Sequence, residues 1–228
     1  MSGESSVGIV IPVLNAGAGV AATLGSLGEG ARLFDLDVLV VDGGSEDDTV
    51  TTAAAHGARV IAAERGRGTQ MAAGAAAVRG DWLLFLHADT VLAPGWAEAL
   101  AAFMAGGRER AAYFVFRLDD DTPGARRIER LVAWRCRALG LPYGDQGLAI
   151  ARDLYTAFGG FPDMPLMEDV YLVRRLGRRR LVGLDVAAIT SPRRYHDGGY
   201  WRRPIRNQFC LLLYLLGIPV RMVARVYR

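Results

Sequence analysis

Short apolar runs alternate with helix-forming segments through the first half of the chain, and this alternation limits the fold more than any other feature. The apolar runs have the length and composition of buried strands: Val7–Ile11, Val38–Val41, Arg59–Ala62 and Trp82–Leu86. The segments between them have helical spacing and helix-ending residues: Val20–Leu27, Asp47–His56 and Thr69–Val78. Alternation of this kind predicts an α/β fold with a mostly parallel central sheet flanked by helices.

The second half has a different pattern. After Gly106 the sequence predicts a strand, a long arginine-rich helix, a second strand and a short helix: Tyr113–Phe116, Ala125–Leu139, Gly147–Ala151 and Arg152–Phe158. We therefore expect a first half at residues 1–106, a second half at 107–204 and an apolar, basic helical tail at 205–228. The total of 228 residues suits one domain or two tightly joined halves.

The composition excludes several classes of protein. All 27 basic residues are arginine, which excludes a Walker-type phosphate loop and the enzymes that use a lysine amine as nucleophile. The two cysteines, Cys136 and Cys210, are too few for a disulfide scaffold. The start, Met1 to Ser6, is short and polar without a signal region, so we expect a cytoplasmic protein.

Polar residues follow three of the predicted strands, at positions that meet along one sheet edge. Asn15 comes after the first strand, Asp42 ends the second and Asp89 follows the fourth. Asp42 suits a ribose or base contact or, alternatively, a helix cap, although Ser45 already fits the cap. Asp89 suits a divalent cation that shares phosphate oxygens, or a cap of the following turn. His87 suits packing or metal binding.

Two further sets of charged residues are candidates for chemistry. Arg67 opens the third helix at the same edge, and its guanidinium matches phosphate oxygens. The acid pair Glu168 and Asp169 precedes an arginine-rich helix and indicates either a general base or ordinary charge at a helix start. Asp145 and Gln146 follow a glycine-proline loop and either orient an attacking group or close a turn.

Arginines in the last third of the chain raise the pI to about 9.1. A solvated face is the default interpretation, and anionic lipid or phosphate contact is the functional alternative. Few aromatic residues lie between the arginines, which argues against nucleic acid. The apolar stretch Phe209–Val220 contains Gly217 and Pro219 and is too short to cross a bilayer. The tail therefore either lies at a membrane interface or packs on the core.

Four motifs in order resemble the family 2 glycosyltransferases, whose nucleotide-sugar-binding fold is called GT-A. Ile11–Asn15 resembles the first nucleotide loop of that family and Val40–Thr49 its base-binding segment. His87–Asp89 occupies the place of the Asp-x-Asp metal motif, with His87 replacing the first Asp, and Met167–Asp169 the place of the acid pair. A narrower resemblance, to a bacterial subgroup known as radical-SAM- or selenodomain-associated glycosyltransferases, rests on four further motifs: Gly66-Arg67 with Gln70, Tyr143–Gly147, Gly159–Pro162 and Ser191–Arg194.

The resemblance implies an inverting, metal-dependent transfer of a sugar from a UDP- or GDP-linked donor to an acceptor hydroxyl. It implies that Mg²⁺ or Mn²⁺ is held by Asp89 and late in the chain by His196, that Asp169 is the base and that Glu168 supports it. Asp145 and Gln146 would contact the acceptor, for which a lipid-linked alcohol is one option. The residues on the donor side would be Pro12, Asn15, Asp42, Arg67, Gln70, His87 and Ala88.

Residues 1–106 would then bind the nucleotide sugar, and residues 107–204 would bind the acceptor and carry the base. Two alternatives remain open. A nucleotidyltransferase acting on a sugar phosphate needs basic residues in the loop after the first strand, and residues 15–19 contain none. A non-catalytic nucleotide-sugar-binding or membrane scaffold protein is favoured by the missing first Asp. The basic, apolar tail allows peripheral contact with the inner face of the membrane.

Overall fold

One eight-stranded sheet runs through the part of the chain that the computed structural model describes, residues 5–192 and 202–227, with 202–204 described by backbone alone. The strand order is β3-β2-β1-β4-β7-β6-β8-β5. The strands are β1 (Ser5–Val13), β2 (Phe34–Asp42), β3 (Arg59–Ala62), β4 (Trp82–Phe85), β5 (Thr90–Leu92), β6 (Ala111–Leu118), β7 (Leu148–Ala151) and β8 (Leu181–Thr190).

The first four strands are parallel, as the alternation predicts. Val13 pairs with Asp42 and Asp42 with Ala62, so the carboxyl ends of β1, β2 and β3 lie side by side. β7 is antiparallel to β4 and to β6, while β8 is parallel to β6 and antiparallel to β5. The sheet is thus continuous from the first half into the second, and the α/β prediction is confirmed.

Helices cover both faces of the sheet. They are α1 (Gly17–Ser26), α2 (Thr49–Ala55), α3 (Arg67–Ala77), α4 (Trp96–Ala105), α5 (Pro123–Leu139), α6 (Arg152–Ala157), α7 (Glu168–Leu176), α8 (Arg202–Leu215) and α9 (Val220–Tyr227). Side chains of β1 alternate between two cores: Ile9 packs with Trp96 of α4, and Val10 packs with Met71 of α3 and Leu172 of α7. Burial on both faces explains why the parallel strands are continuous apolar runs.

The sequence patterns locate most elements within a few residues but do not single out β5, α4 or β8. α4 is apolar on nearly every side, so its helical period is weak. The assignment of Ser45 as a helix cap is wrong, because α2 begins at Thr49 and Ser45 donates its hydroxyl to the Asp42 carboxylate instead.

The C-terminal helices pack against the second half through one face. Cys210, Leu211 and Val223 are buried with Met167 and Val173, which confirms the packing alternative for this face of the tail. Within the residues that can be described, no helix has both the length and the apolar character needed to cross a membrane.

Candidate active site

Two adjoining cavities open at the carboxyl ends of the strands. A large groove of about 960 Å³ lies between the loop after β1, the start of α3 and the end of β8. A small chamber of about 110 Å³ lies between the loop before β7, the start of α7 and the two C-terminal helices. Arg67, His87, Asp89 and Ser191 line both cavities, so a ligand in the groove would meet a ligand in the chamber at these residues.

The floor of the groove is held by hydrogen bonds between the first two strand ends. Gln70 donates from its amide nitrogen to the carbonyl oxygens of Val13 and Val41, at 2.8 Å each. The side chain is 4% exposed, and a Cβ on Gly43 would stand only 3.1 Å from it. Pro12 and Ala88 line the groove beside Gln70. Gln70 therefore contributes chiefly by holding the strand ends in register.

Asn15 lines the groove in a left-handed conformation with φ of 50°, which asparagine tolerates better than most residues. Its amide oxygen accepts the Glu46 N–H and its own N–H donates to the Ser45 hydroxyl, each at 2.9 Å. The Asp42 carboxylate accepts from the N–H groups of Gly44 and Ser45. Asp42 is 8% exposed and does not line the groove. Its carboxylate stabilises the loop through these hydrogen bonds.

The segment after β4 carries His87 and Asp89 into the space between the cavities. The Asp89 carbonyl accepts the N–H of Ser191, at 3.1 Å, and the Ala88 carbonyl accepts the hydroxyl of Thr23, at 3.0 Å. His87 lies against Gly144, where a Cβ would come within 2.5 Å of its Nε2 atom. Only glycine leaves room for the imidazole at this position.

Glu168 and Asp169 form the first turn of α7, directly after a strained residue. Met167 has φ of 66° although it is neither glycine nor asparagine, a conformation that concentrates at functional sites and costs about 1–3 kcal/mol. Asp169 accepts the Gly144 N–H on Oδ2, at 2.8 Å, and the Val170 N–H on Oδ1, at 2.7 Å. Both oxygens are thereby held in a defined orientation beside the chamber.

Glu168 is 2% exposed, and its Oε1 atom lies 3.6 Å from the Arg67 guanidinium. Burial raises the pKa of Glu168, the neighbouring Asp169 carboxylate raises it further, and Arg67 opposes both. Burial works against the charge on Arg67, yet the carboxylates of Glu168 and Asp169 leave its pKa above the ordinary value. Arg67 is therefore a permanent cation at the junction of the two cavities.

Asp145 lines the chamber, and burial raises its pKa to about 6. Arg135 opposes this rise, and the carboxylates of Asp169 and Asp89 add to it. The Oδ1 atom of Asp145 is buried and accepts no hydrogen bond. An uncompensated buried acceptor in a cavity wall is available to a ligand that brings a donor.

Gln146, by contrast, lies behind the chamber wall. Its Oε1 atom accepts from Arg135, at 3.1 Å, and from the Tyr143 N–H, at 3.3 Å, while its Nε2 atom donates to the Phe114 carbonyl. The interpretation of Gln146 as an acceptor contact is therefore wrong: protein partners take its amide, and it holds the loop that carries Asp145. Gln146 is 2% exposed, so its amide is not accessible to a ligand in the chamber.

Three residues that line or support the chamber were not predicted from the sequence. Arg135 is 4% exposed on the inner face of α5, and its guanidinium stacks 3.4 Å from the centre of the Tyr143 ring. An arginine on the apolar face of an amphipathic helix was the available signal. Asn207 of α8 and Tyr227 of α9 line the chamber, and no local pattern connects them to it.

The junction of the two cavities suits a hard divalent cation that is held by one protein carboxylate. Magnesium and similar ions often use one or two protein carboxylates and complete their shell with phosphate oxygens and water. Asp89 supplies such a carboxylate where the two cavities meet. Among the described residues, no three histidine, cysteine or acidic side chains are grouped as a complete metal site. His196 lies outside the described residues, so its metal role stays a prediction.

Comparisons with known proteins agree on one family. The family model described as "Glycosyl transferase family 2" matches residues 8–166. Two uncharacterized glycosyltransferases, Rv0539 of Mycobacterium tuberculosis and Mb0553 of Mycobacterium bovis, are 34% identical over 110 residues, or 48% of this chain and 48% of each relative. The matched part thus spans about half the length of these curated relatives.

Solved structures of glucosyl-3-phosphoglycerate synthase from Mycobacterium tuberculosis share the fold. The complex with Mn²⁺, UDP-glucose and phosphoglyceric acid is 25% identical, with a TM-score of 0.65 over 94% of this chain and 81% of that one. The complex with Mg²⁺ and UDP is 24% identical, with a TM-score of 0.66 over 94% and 80%.

Proposed function

This chain belongs to glycosyl transferase family 2, and from that premise we propose an inverting transfer of a sugar from a nucleoside-diphosphate sugar to an acceptor hydroxyl. The observation that carries the proposal is the junction of the two cavities, where Arg67, Asp89 and the acid pair of α7 meet. A UDP-linked donor is favoured over a GDP-linked one, because glucosyl-3-phosphoglycerate synthase was solved with UDP-glucose.

The donor would occupy the large groove. Pro12, Asn15 and Ala88 line its walls, Gln70 and Asp42 hold its loops, and Arg67 faces the junction. A guanidinium there would bind the diphosphate and stabilise the charge that develops on it as the sugar leaves.

A divalent cation, Mg²⁺ or Mn²⁺, completes the proposal. Asp89 would hold it, with His87 beside it and His196 as the predicted late ligand. Two structures of glucosyl-3-phosphoglycerate synthase contain Mn²⁺ or Mg²⁺ with a uridine nucleotide, which supports the same requirement here. When bound, the cation supplies Lewis-acid stabilisation of the departing diphosphate.

Asp169 would act as the base that removes the proton from the acceptor hydroxyl. The N–H groups of Gly144 and Val170 orient its carboxylate beside the chamber, and a general base needs that orientation before any other property. Glu168 would support it by holding Arg67 in place. In this scheme the first half of the chain binds the donor, and the second half carries the base and the acceptor site.

Thermal unfolding tests the function directly. The protein is heated with UDP, GDP, dTDP or CMP, each with and without Mn²⁺; a ligand at about 100 times its Kd adds roughly 2.7 kcal/mol to the free energy of unfolding. For a chain of this size, each kcal/mol raises the midpoint by about 2–4 °C. A Mn²⁺-dependent rise with one nucleoside diphosphate supports the proposal. No rise with any nucleotide would contradict it and favour a scaffold protein.

We also propose a cytoplasmic location with peripheral contact to the inner face of the membrane, and a lipid-linked acceptor. The supporting observation is an exposed apolar stripe on the tail: Ile205, Phe209, Leu212 and Leu216. Arginine is the only charged residue type after Asp197, which suits anionic lipid. Sedimentation with phosphatidylglycerol vesicles tests this; Leu212→Ser should weaken binding, and equal binding to phosphatidylcholine vesicles would contradict the electrostatic part.

The narrower assignment, to the radical-SAM- or selenodomain-associated subgroup, is likewise a proposal. It rests on the motifs around Arg67, Tyr143–Gly147, Gly159–Pro162 and Ser191–Arg194, of which Arg193 and Arg194 lie outside the described residues. The structure adds a physical reason for two of them: Gly144 leaves room for His87, and Gly160 has φ of 62° with the Tyr155 ring 2.8 Å from where a Cβ would stand.

A further inference from the structure

The small chamber offers hydrogen-bond acceptors that have no donor. Oδ1 of Asp145, Oε1 of Glu168 and Oδ1 of Asn207 are each buried without a hydrogen-bond partner, and all three residues line the chamber; the Tyr143 hydroxyl, which can both donate and accept, is unpartnered in the same wall. Glu168 is 2% exposed, and the Arg67 guanidinium stands 3.6 Å from its Oε1, beyond hydrogen-bond distance. Buried acceptors of this kind are normally satisfied, so a ligand that enters the chamber has to bring hydrogen-bond donors.

The charge of the chamber points the same way. Its described lining contains four carboxylates, those of Asp89, Asp145, Glu168 and Asp169, against one guanidinium, that of Arg67. Glu168 and Asp169 already raise the pKa of Arg67 although burial lowers it. A cation at Asp89 would offset one of these charges, and the raised pKa values of Asp145 and Glu168 favour their protonated forms, but a phosphate or carboxylate placed here would still meet the Asp169 carboxylate at short range. A neutral hydroxyl would instead donate to the unpaired oxygens.

The C-terminal helices are part of this recognition. Asn207 of α8 and Tyr227 of α9 reach the chamber wall, and Cys210, Leu211 and Val223, three or four residues away on the same helix faces, pack against α7. The Arg206 guanidinium lies 4.7 Å from the centre of the Tyr227 ring, which ties α8 to α9 beside the chamber. The tail thus contributes to the wall of the chamber that Asp145 also lines.

From these contacts we propose that the chamber is the acceptor site, that it selects a neutral polyhydroxyl group, such as a sugar or polyol, over an anionic one, and that Asn207 is a specificity residue. This rests on the proposed glycosyl transfer and names its acceptor class. In the reaction, the acceptor O–H loses its proton to Asp169 and its oxygen forms the new bond to the sugar carbon. The bond between that carbon and the diphosphate oxygen breaks, and its electron pair leaves with the diphosphate.

Matched probes test the preference. Release of nucleoside diphosphate from UDP-glucose, or from the donor chosen by thermal unfolding, is measured with glycerol against 3-phosphoglycerate, and with methyl glucoside against glucose 6-phosphate. We expect each neutral probe to be used about tenfold or more better than its anionic partner, as measured by kcat/KM. Equal or better use of the anionic probes, or no effect of any neutral probe, would overturn the acceptor assignment.

Two variants at Asn207 make the test specific. Asn207→Arg should shift the preference toward the anionic probes by about tenfold, because it adds a cation to the chamber wall. Asn207→Leu should raise KM for neutral probes more than it lowers kcat. Gln208→Arg adds the same charge one residue further on, outside the chamber lining, and should leave the preference unchanged.

Donor binding separates this inference from the proposed function. Nucleotide-dependent thermal unfolding of the Asn207 variants should match that of the unaltered chain, because Asn207 does not line the large groove. Retained donor binding without a neutral preference would overturn the acceptor class alone. Absent donor binding in the unaltered chain would overturn both proposals.

Discussion

Gly144→Ala is the sharpest test of the site, because the structure allows its effect to be worked out in advance. A Cβ at this position would stand 2.5 Å from Nε2 and 3.0 Å from Cε1 of His87, whereas non-bonded heavy atoms settle at about 3.5–4.0 Å. Either the imidazole or the loop has to move by about 1 Å. That loop also donates the Gly144 N–H that orients Asp169.

A misplacement of about 1 Å in catalytic groups costs on the order of 10²-fold in rate, equivalent to about 2.7 kcal/mol in the activation barrier. We therefore expect kcat to fall by about 100-fold. Gly144 does not line the large groove but His87 does, so a shift of the loop alone should leave the donor KM unchanged, whereas a shift of the imidazole should also raise it. Overpacking costs about 1–3 kcal/mol of stability, which thermal unfolding would detect as a midpoint lowered by about 2–4 °C per kcal/mol.

The assay is steady-state release of nucleoside diphosphate, with the donor KM and the unfolding midpoint measured in parallel. Gly25→Ala is the matched control, because Gly25 lies within α1 and no atom comes within 4 Å of its Cβ position. That variant should keep full turnover and gain about 0.5–1 kcal/mol of stability. Gly144→Ala with turnover within twofold of the unaltered chain would refute both the steric reasoning and the role given to the loop.

Three further predictions concern single side chains. Asp169→Asn should lower kcat by about 10²–10⁴-fold while the nucleotide-dependent unfolding midpoint is retained; unchanged turnover would contradict its role as base. Gln70→Leu removes a donor from the Val13 and Val41 carbonyls, of which Val13 keeps the Gly43 N–H, and urea unfolding should show a loss of about 1–3 kcal/mol, with no loss arguing against the bridge. Asp145 has a folded-state pKa of about 6, raised from 3.8, so the folded chain binds its proton more tightly and its contribution to stability falls as pH rises from about 4 to 6. Asp145→Asn should therefore raise the midpoint more at pH 7.5 than at pH 4.5, and an equal change at both would contradict the shifted pKa.

Much of the fold and the edge that carries the site could be predicted from local patterns. The strand runs around Val10 and Leu84 are apolar because parallel strands are buried on both faces, and polar residues at their ends mark the edge where ligands gather. Residues such as Asn15, Arg67 and Asp89 were found in this way and do line the cavities. Asp42 was found by the same rule, but the structure turns its carboxylate into the loop.

Other features were beyond local patterns because they depend on distant contacts. Gln146 is a polar residue in a loop, and only the position of Arg135 on a separate helix shows that protein partners take its amide. The tail has both apolar and basic residues, and only its packing on α7 divides it into an exposed stripe and an inner face that is buried and also reaches the chamber.

The sequence by itself determined the α/β alternation, the sheet edge and the family, because each depends on residue order over short distances. The tertiary structure alone decided how the charges are arranged: Arg67 lines both cavities, Asp145 and Glu168 both lie near Asp169, and Asn207 lines the chamber from the far end of the chain. The physical reason is that burial and Coulomb interactions depend on separation in space, which residue spacing along the chain does not specify.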